Sequence, residues 1–163
     1  MPALATAASL AFLITFASLA SGASRIETRR PAGRIAIVNA RLAPASALAP
    51  GDRVQRVLEL KTGGRKRVTV TISARKPSAL VERSLGLRIK IERCSKAWRA
   101  AGKGYTCRGK TTTAAADGPA IGRHPLRTLA AKCKNHLRVT LTLPQSAPSA
   151  LEGLIAQLVY RFS

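Results

Sequence analysis

A short alternation of apolar and charged residues constrains the fold of this chain more than any other feature. In residues 86–94, Leu87, Ile89 and Ile91 alternate with charged side chains. Successive side chains of a strand point to opposite faces, so this pattern predicts a β-strand with one buried and one solvated face. Similar segments recur along the chain between Gly and Pro turns, which predicts an all-β, antiparallel sandwich.

The predicted strands, taken from this alternation, cover residues 52–61, 65–75, 86–94, 106–113, 136–143 and 154–162. Val57 breaks the parity of the first strand, which indicates a bulge. Residues 114–119 are predicted to be a weakly ordered connection, and residues 126–132 a helical turn or loop. His124 stands beside Pro125 and is predicted to lie in a loop.

Three cysteines bear on both fold and location. Cys94 and Cys107 flank the only tryptophan, Trp98, and a disulfide between them would close a short loop and stabilise the domain by about 3 kcal/mol. Such a bond forms outside the reducing cytosol. Cys133 is left over: it is a buried small hydrophobe, a free thiol, or the partner of one of the other two.

Residues 1–24 carry no charged side chain and end in the small residues 20–23. This composition predicts a signal peptide helix, cleaved after export, which makes the protein secreted or attached to the cell surface. No Lys or Arg precedes the apolar run, so we expect the n-region charge to come from the amino group of Met1 or from a start upstream of it. The alternatives are an uncleaved single anchor, which would be the only membrane contact, and a buried core helix.

The predicted domain organisation follows from these segments. Residues 25–48 form an extended basic arm and linker, and residues 49–163 form the β-sandwich domain, whose size suits a single hydrophobic core.

A formal net charge of +21 distinguishes this chain from most domains of its size, with 28 Lys and Arg against 7 Asp and Glu. One interpretation is that these cations coat the solvated faces of strands. The other is attraction to a polyanion such as nucleic acid, teichoic acid or anionic lipid. The candidate contacts on strand faces are Arg67, Arg88, Lys90 and Arg138.

The sequence offers little for catalysis. Its acids are scattered singly, and His124 and His136 are isolated, so neither a paired-carboxylate site nor a metal site is predicted. Trp98 and Tyr105 are candidate stacking platforms for bases or sugars, but aromatics make up only 4% of the chain and a Trp beside a disulfide is more often packed in the core, so core packing is expected. The sequence therefore predicts a non-enzymatic protein with no cofactor and no small-molecule substrate.

Several short motifs occur in a characteristic order. They are residues 49–52 (Ala-Pro-Gly-Asp), 61–64 (Lys-Thr-Gly-Gly), 85–87 (Leu-Gly-Leu), 94–98 (Cys-Ser-Lys-Ala-Trp), 105–109 (Tyr-Thr-Cys-Arg-Gly), 136–144, 150–153 and 160–162 (Tyr-Arg-Phe). In this order the chain resembles the TasA/camelysin family of secreted bacterial matrix and spore-coat-associated proteins, in its high-GC Gram-positive form.

The resemblance implies a jelly-roll-like β-sandwich that builds extracellular matrix fibres or associates with the cell or spore surface. In fibres, an N-terminal arm beginning near Ser24 and including Ile26 and residues 35–38 would complete the sheet of a neighbouring subunit. Some relatives are described as metallopeptidases, but no matching zinc signature is present here. Subunits of such high charge repel one another unless salt or a polyanion screens them.

Three functional hypotheses result. The leading one is a secreted, non-enzymatic structural protein of the cell surface or biofilm matrix that forms homo-oligomers or fibres by strand addition. The second is an envelope module that binds a cell-wall polyanion or nucleic acid. The third is a secreted metallopeptidase.

Overall fold

The computed structural model describes residues 26–27, 36–41, 48–63, 67–82, 84–131 and 133–163, with only the backbone described for the first two ranges. The predicted signal peptide and much of the predicted arm lie outside these residues. Within the described ranges, no helix has the length and apolarity that a membrane span requires.

The described residues form eleven strands and two short helical segments. They are β1 (Ile26–Glu27), β2 (Ala36–Arg41), β3 (Arg53–Lys61), β4 (Val68–Ala74), α1 (Ala79–Glu82), β5 (Arg88–Cys94), β6 (Trp98–Ala101), β7 (Gly104–Cys107), β8 (Thr111–Pro119), β9 (Gly122–Leu126), β10 (Lys134–Thr142), a 3-10 turn (Ser149–Leu151) and β11 (Leu158–Phe162). The predicted all-β class is confirmed.

The strands form three sheets. A four-stranded sheet has the order β1-β11-β4-β9, a five-stranded sheet has the order β2-β3-β10-β5-β8, and β6 pairs with β7 in a two-stranded ribbon. Neighbours pair antiparallel, except that β1 lies parallel to β11. The finer expectation of a jelly-roll order stays a prediction.

Both larger sheets contribute side chains to one hydrophobic core. Leu60 and Leu137 enter it from the five-stranded sheet, and Ile72 and Tyr160 enter it from the four-stranded sheet. Burial alternates along β10, the central strand of its sheet, where every second side chain faces the core. The period-2 pattern in the sequence therefore reflects one face against the core and one face outside it.

The predicted bulge at Val57 is wrong. β3 pairs with β10 in unbroken register, and Val57 lies opposite Arg138 on the face turned away from the core. There it lines a cleft together with Trp98 of the ribbon. Val57 is apolar because a second layer of protein covers this part of the outer face.

Two segments predicted to be irregular are strands. Residues 114–119 belong to β8, whose register with β5 shifts between Ile89 and Ile91 and again before Glu92, so the buried positions do not alternate. His124 lies in β9, beside Pro125, rather than in a loop. β9 is an edge strand in the described sheet, where a residue without an N–H is tolerated.

Parts of the predicted N-terminal arm pair with the domain. β1 lies beside β11 at one edge of the four-stranded sheet, and β2 lies beside β3 at one edge of the five-stranded sheet. Each of these two edges is therefore occupied by a strand that precedes the domain in sequence.

Candidate functional site

The β6–β7 ribbon, residues 98–107, lies over the outer face of the five-stranded sheet. This face carries Gln55, Val57 and Glu59 of β3, Lys90 and Glu92 of β5, and His136 and Arg138 of β10. The ribbon contacts the sheet through β3 and β10. Its strands are too short to bury a core of their own, so contacts with this face must hold the ribbon in place.

A disulfide and a tryptophan attach the ribbon at its base. Cys94, at the end of β5, is bonded to Cys107, at the end of β7, which confirms the predicted pair. Trp98 lies opposite Cys107 in the ribbon, and its indole Nε1 donates a hydrogen bond of 3.0 Å to the carbonyl oxygen of His136. The indole is partly buried over the outer face of the sheet rather than packed in the hydrophobic core, and its polar atom is satisfied.

Tyr105 attaches the middle of the ribbon through its backbone. Its N–H donates to Oε1 of Gln55 at 2.9 Å, and its carbonyl oxygen accepts a hydrogen bond of 2.6 Å from Nη1 of Arg138. A Cβ on the neighbouring Gly104 would come within 2.6 Å of the same Gln55 oxygen. Glycine at this position allows the close approach of ribbon and sheet.

Arg138 is the centre of a part-buried charge cluster under the ribbon. Its Nη2 and Nε donate to Oε2 of Glu92 at 2.6 and 3.2 Å, and its guanidinium carbon lies 4.2 Å from the centroid of the Trp98 ring. Lys90 binds the other oxygen of Glu92, Oε1, at 3.0 Å. Since Glu92 and Arg138 expose only 12% and 17% of their side chains, the pair is shielded from water and salt.

The pKa of the Glu92 carboxyl lies below its ordinary value. Burial alone would raise this pKa, but the hydrogen bonds and positive charges of Arg138 and Lys90 outweigh burial. The carboxylate therefore stays charged to a lower pH than an ordinary glutamate, and it is charged at neutral pH.

Two clefts flank the ribbon. One, of about 210 Å³, is lined by Val57, Glu59, Trp98, Tyr105 and His136 among others. The other, of about 630 Å³, lies near the ribbon turn and contains Asp52, Lys103 and Arg138 in its wall. Tyr105 lines both clefts, so the ribbon lies between them.

Glu59 and His136 form the only carboxylate–imidazole contact among the described residues, with Oε1 and Nδ1 3.2 Å apart. Lys134 lies 3.6 Å from the other Glu59 oxygen, Oε2. The described residues contain no cluster of three side chains able to ligate a metal ion.

The structure separates the four predicted polyanion contacts. Arg67 is exposed and comes directly before β4, a strand of the four-stranded sheet. The other three, Arg88, Lys90 and Arg138, share the outer face of the five-stranded sheet. Each of these three is ion-paired: Arg88 with Asp117 at 2.6 Å, and the other two with Glu92. Their role in binding a polyanion stays a prediction, and Arg138 additionally positions the ribbon.

Cys133 is a free, exposed thiol next to the start of β10. Of the alternatives open from the sequence, the structure selects the free thiol over a buried hydrophobe or a disulfide with Cys94 or Cys107.

No known protein family, curated protein or solved structure matches this chain. The resemblance to the TasA/camelysin family therefore has no support beyond its motifs.

Proposed function

We propose that this protein is a secreted, non-enzymatic structural protein of the cell surface or extracellular matrix. In this proposal its two larger sheets form a jelly-roll-like sandwich, and subunits assemble by strand addition. The observation that carries the proposal is the position of the arm. β1 and β2 occupy the β11 and β3 edges, so release of the arm would leave two edges ready to accept the arm of another subunit.

The opposite edges are poor partners for a second chain. β8 follows an irregular register, and β9 carries Pro125, which has no N–H to donate. Bulges and proline on edge strands are recognised means of preventing uncontrolled pairing. This asymmetry supports assembly in one direction, through the arm, rather than by edge-to-edge aggregation.

The Cys94–Cys107 disulfide supports a location outside the reducing cytosol. Mass spectrometry of the protein from culture supernatant and from cell wall would test export, because it reports the mature N-terminus and the number of oxidised thiols. Recovery of the protein only from the cytosol, with three reduced thiols, would refute the proposed location.

Cross-linking distinguishes an arm that pairs within its own chain from one that pairs with a neighbour. Ala36 of β2 lies opposite Lys61 of β3 in the backbone register. Cysteines introduced at directly opposed positions of antiparallel strands are generally close enough to form a disulfide. The test protein is the full chain with Ala36→Cys, Lys61→Cys and Cys133→Ser. The matched control keeps Lys61 and carries only the other two substitutions.

Assembly is induced by raising salt or adding a polyanion, which screens the charge of the subunits. Assembled protein should give a ladder of cross-linked chains on a non-reducing gel, while dilute monomer gives a cross-link within one chain. The control should give neither. Protein that stays monomeric by light scattering in every condition would refute assembly.

A second candidate function, polyanion binding in the envelope, is favoured by the excess of 28 basic over 7 acidic residues. Its binding should weaken steeply with salt, because each contact releases counterions from the polyanion. Affinity that does not change with salt would exclude it.

A further inference from the structure

We propose that the outward side of the β6–β7 ribbon and its base binds a linear phosphodiester polymer. The proposal deepens the second candidate function, on which it rests, by naming the surface and the chemistry. The proposed contacts are five exposed cations: Lys96, Arg99, Lys103, Arg108 and Lys110.

The five cations follow the ribbon from base to turn. Lys96, Arg108 and Lys110 lie at the base, where Ser95 donates its N–H to the Lys110 carbonyl and Gly109 packs against Lys96. Arg99 lies opposite Thr106 in the middle of the ribbon, on the side away from Trp98 and Tyr105. Lys103 stands in the turn between the strands. The five cations therefore lie on the ribbon, on its turn and on the two loops at its base.

Few acidic side chains lie near this row: among the described residues, Asp52 shares a cleft wall with Lys103 but forms no ion pair with it. The sequence has no Asp or Glu between Glu92 and Asp117, and those two carboxylates already bind Lys90, Arg138 and Arg88. Within the described part of the chain, none of the five ribbon cations forms an ion pair. By contrast, three of the four cations predicted from strand alternation are paired.

The shape of the ribbon favours a linear partner. Two strands lie about 4.8 Å apart and four residues extend about 13 Å, so the ribbon presents a line of charge rather than a broad patch. A polymer with one negative charge in each repeat matches a line of cations. Phosphodiester oxygens also suit both Arg, which binds them with two donors, and Lys, which binds as a point charge.

The bonds between the ribbon and the sheet fix the shape of this surface before it binds. The disulfide, the Trp98 hydrogen bond and the two bonds to Tyr105 hold its backbone against the sheet. A preorganised surface loses less conformational freedom on binding than a flexible loop with the same charges.

The test compares two full-length variants from which the same amount of charge is removed. The ribbon variant replaces Lys96, Arg99, Lys103, Arg108 and Lys110 with Gln. The control variant replaces five exposed cations on and beside the four-stranded sheet with Gln: Arg67, Arg75, Lys76, Arg123 and Arg127. Both have the same net charge, so a difference between them reports location rather than total charge.

Binding is measured by fluorescence anisotropy with two probes, oligothymidylate and purified poly(glycerol phosphate) teichoic acid, which share the phosphodiester and differ in source. For five phosphate contacts on a single strand, the wild-type affinity should fall about 100-fold between 50 and 200 mM salt. The ribbon variant should lose most of this affinity and salt dependence, whereas the control should lose little. The probe that binds more tightly identifies the source.

Equal losses in the two variants, a larger loss in the control, or no binding of either probe at 50 mM salt would overturn the proposal. Assembly is followed separately by light scattering of the same variants. A ribbon variant that still assembles but does not bind would leave the proposed structural role intact, so the two proposals fail independently.

Discussion

The guanidinium of Arg138 lies over the ring of Trp98, with its carbon 4.2 Å from the ring centroid, while its nitrogens bind Glu92 and the Tyr105 carbonyl. One side chain thus joins the central strand of the five-stranded sheet to both strands of the ribbon. The cation–π contact and the hydrogen bonds use different parts of the same planar group, which a lysine ammonium cannot reproduce.

Arg138→Lys should therefore lower the free energy of unfolding by about 2 kcal/mol, because a single ammonium loses the paired bonds to Glu92 and the bond to Tyr105. Urea unfolding followed by the fluorescence of Trp98, the only tryptophan, measures this change. The matched control is Arg88→Lys, whose pair with Asp117 is well exposed and should change stability by less than about 0.5 kcal/mol. Equal effects of the two substitutions would contradict the role of Arg138 in holding the ribbon against the sheet.

Loss of the disulfide should lower the free energy of unfolding more than loss of any single side-chain contact beneath the ribbon. Cys94→Ser with Cys107→Ser removes a cross-link that spans 13 positions and should destabilise the fold by about 3 kcal/mol. Cys133→Ser should leave the melting temperature unchanged, because that thiol is free and exposed. Thiol titration of the native protein should detect one reactive cysteine, and three after denaturation with reductant; two or more in the native state would argue against the assigned pairing.

The acid stability of the ribbon should depend on Glu92. Its pKa is lower in the folded state than in the unfolded chain, where it is about 4.3. The charged form therefore stabilises the fold fully above about pH 4.3, and this contribution is lost as the pH falls through the lower, folded-state pKa. Between pH 7 and 3, wild-type stability should fall more steeply than that of Glu92→Gln, which should already be about 2 kcal/mol less stable at pH 7. Parallel pH profiles would show that Glu92 contributes nothing to this dependence.

The alternation of residue types predicts the inner strands of both sheets. The predicted segments at residues 52–61, 65–75, 86–94 and 136–143 match β3, β4, β5 and β10 with small differences at the ends, whereas the segment predicted at residues 154–162 begins four residues before β11. These strands have one face in the core and one outside it, which is the condition that produces a period of two in sequence. The disulfide is predictable for a related reason, since Cys94 ends one of these strands.

Edge strands and the ribbon do not meet that condition. In β8, Ala114 and Ala115 are both buried because the register shifts, and this removes the alternation. The ribbon strands have four residues each, too few to show a period, and their position depends on contacts with β3 and β10. Val57 was the available signal: an apolar residue of the wrong parity, on a strand that is otherwise regular, indicates that something covers the outer face.

The candidate site could not be read from sequence because distant residues form it. Glu59 and His136 are far apart in the chain but directly opposed in the β3–β10 register. The same register and that of β10 with β5 bring Gln55, Glu92 and Arg138 together under the ribbon. Pairing of strands, rather than spacing along the chain, decides which side chains meet here.

Asn135 holds the loop that precedes β10, and its replacement tests whether this buried polar side chain is structural. It is fully buried: Oδ1 accepts a 2.7 Å bond from the Ala130 N–H, and Nδ2 donates to the Ala130, Cys133 and Leu60 carbonyls. Asn135→Ala would remove these four bonds, although the Ala130 carbonyl would keep the bond of 3.3 Å that it accepts from Oγ1 of Thr62, and should lower the free energy of unfolding by about 2 to 3 kcal/mol. Thr113→Ala, at an exposed position of β8, is the control and should change it by about 0.5 kcal/mol or less. Because the Asn135 side chain is buried on the core face of β10, whereas the ribbon lies over the outer face, the same variant should bind phosphodiester probes as wild type does while it is folded. Weakened binding would mean that this loop, too, supports the ribbon surface.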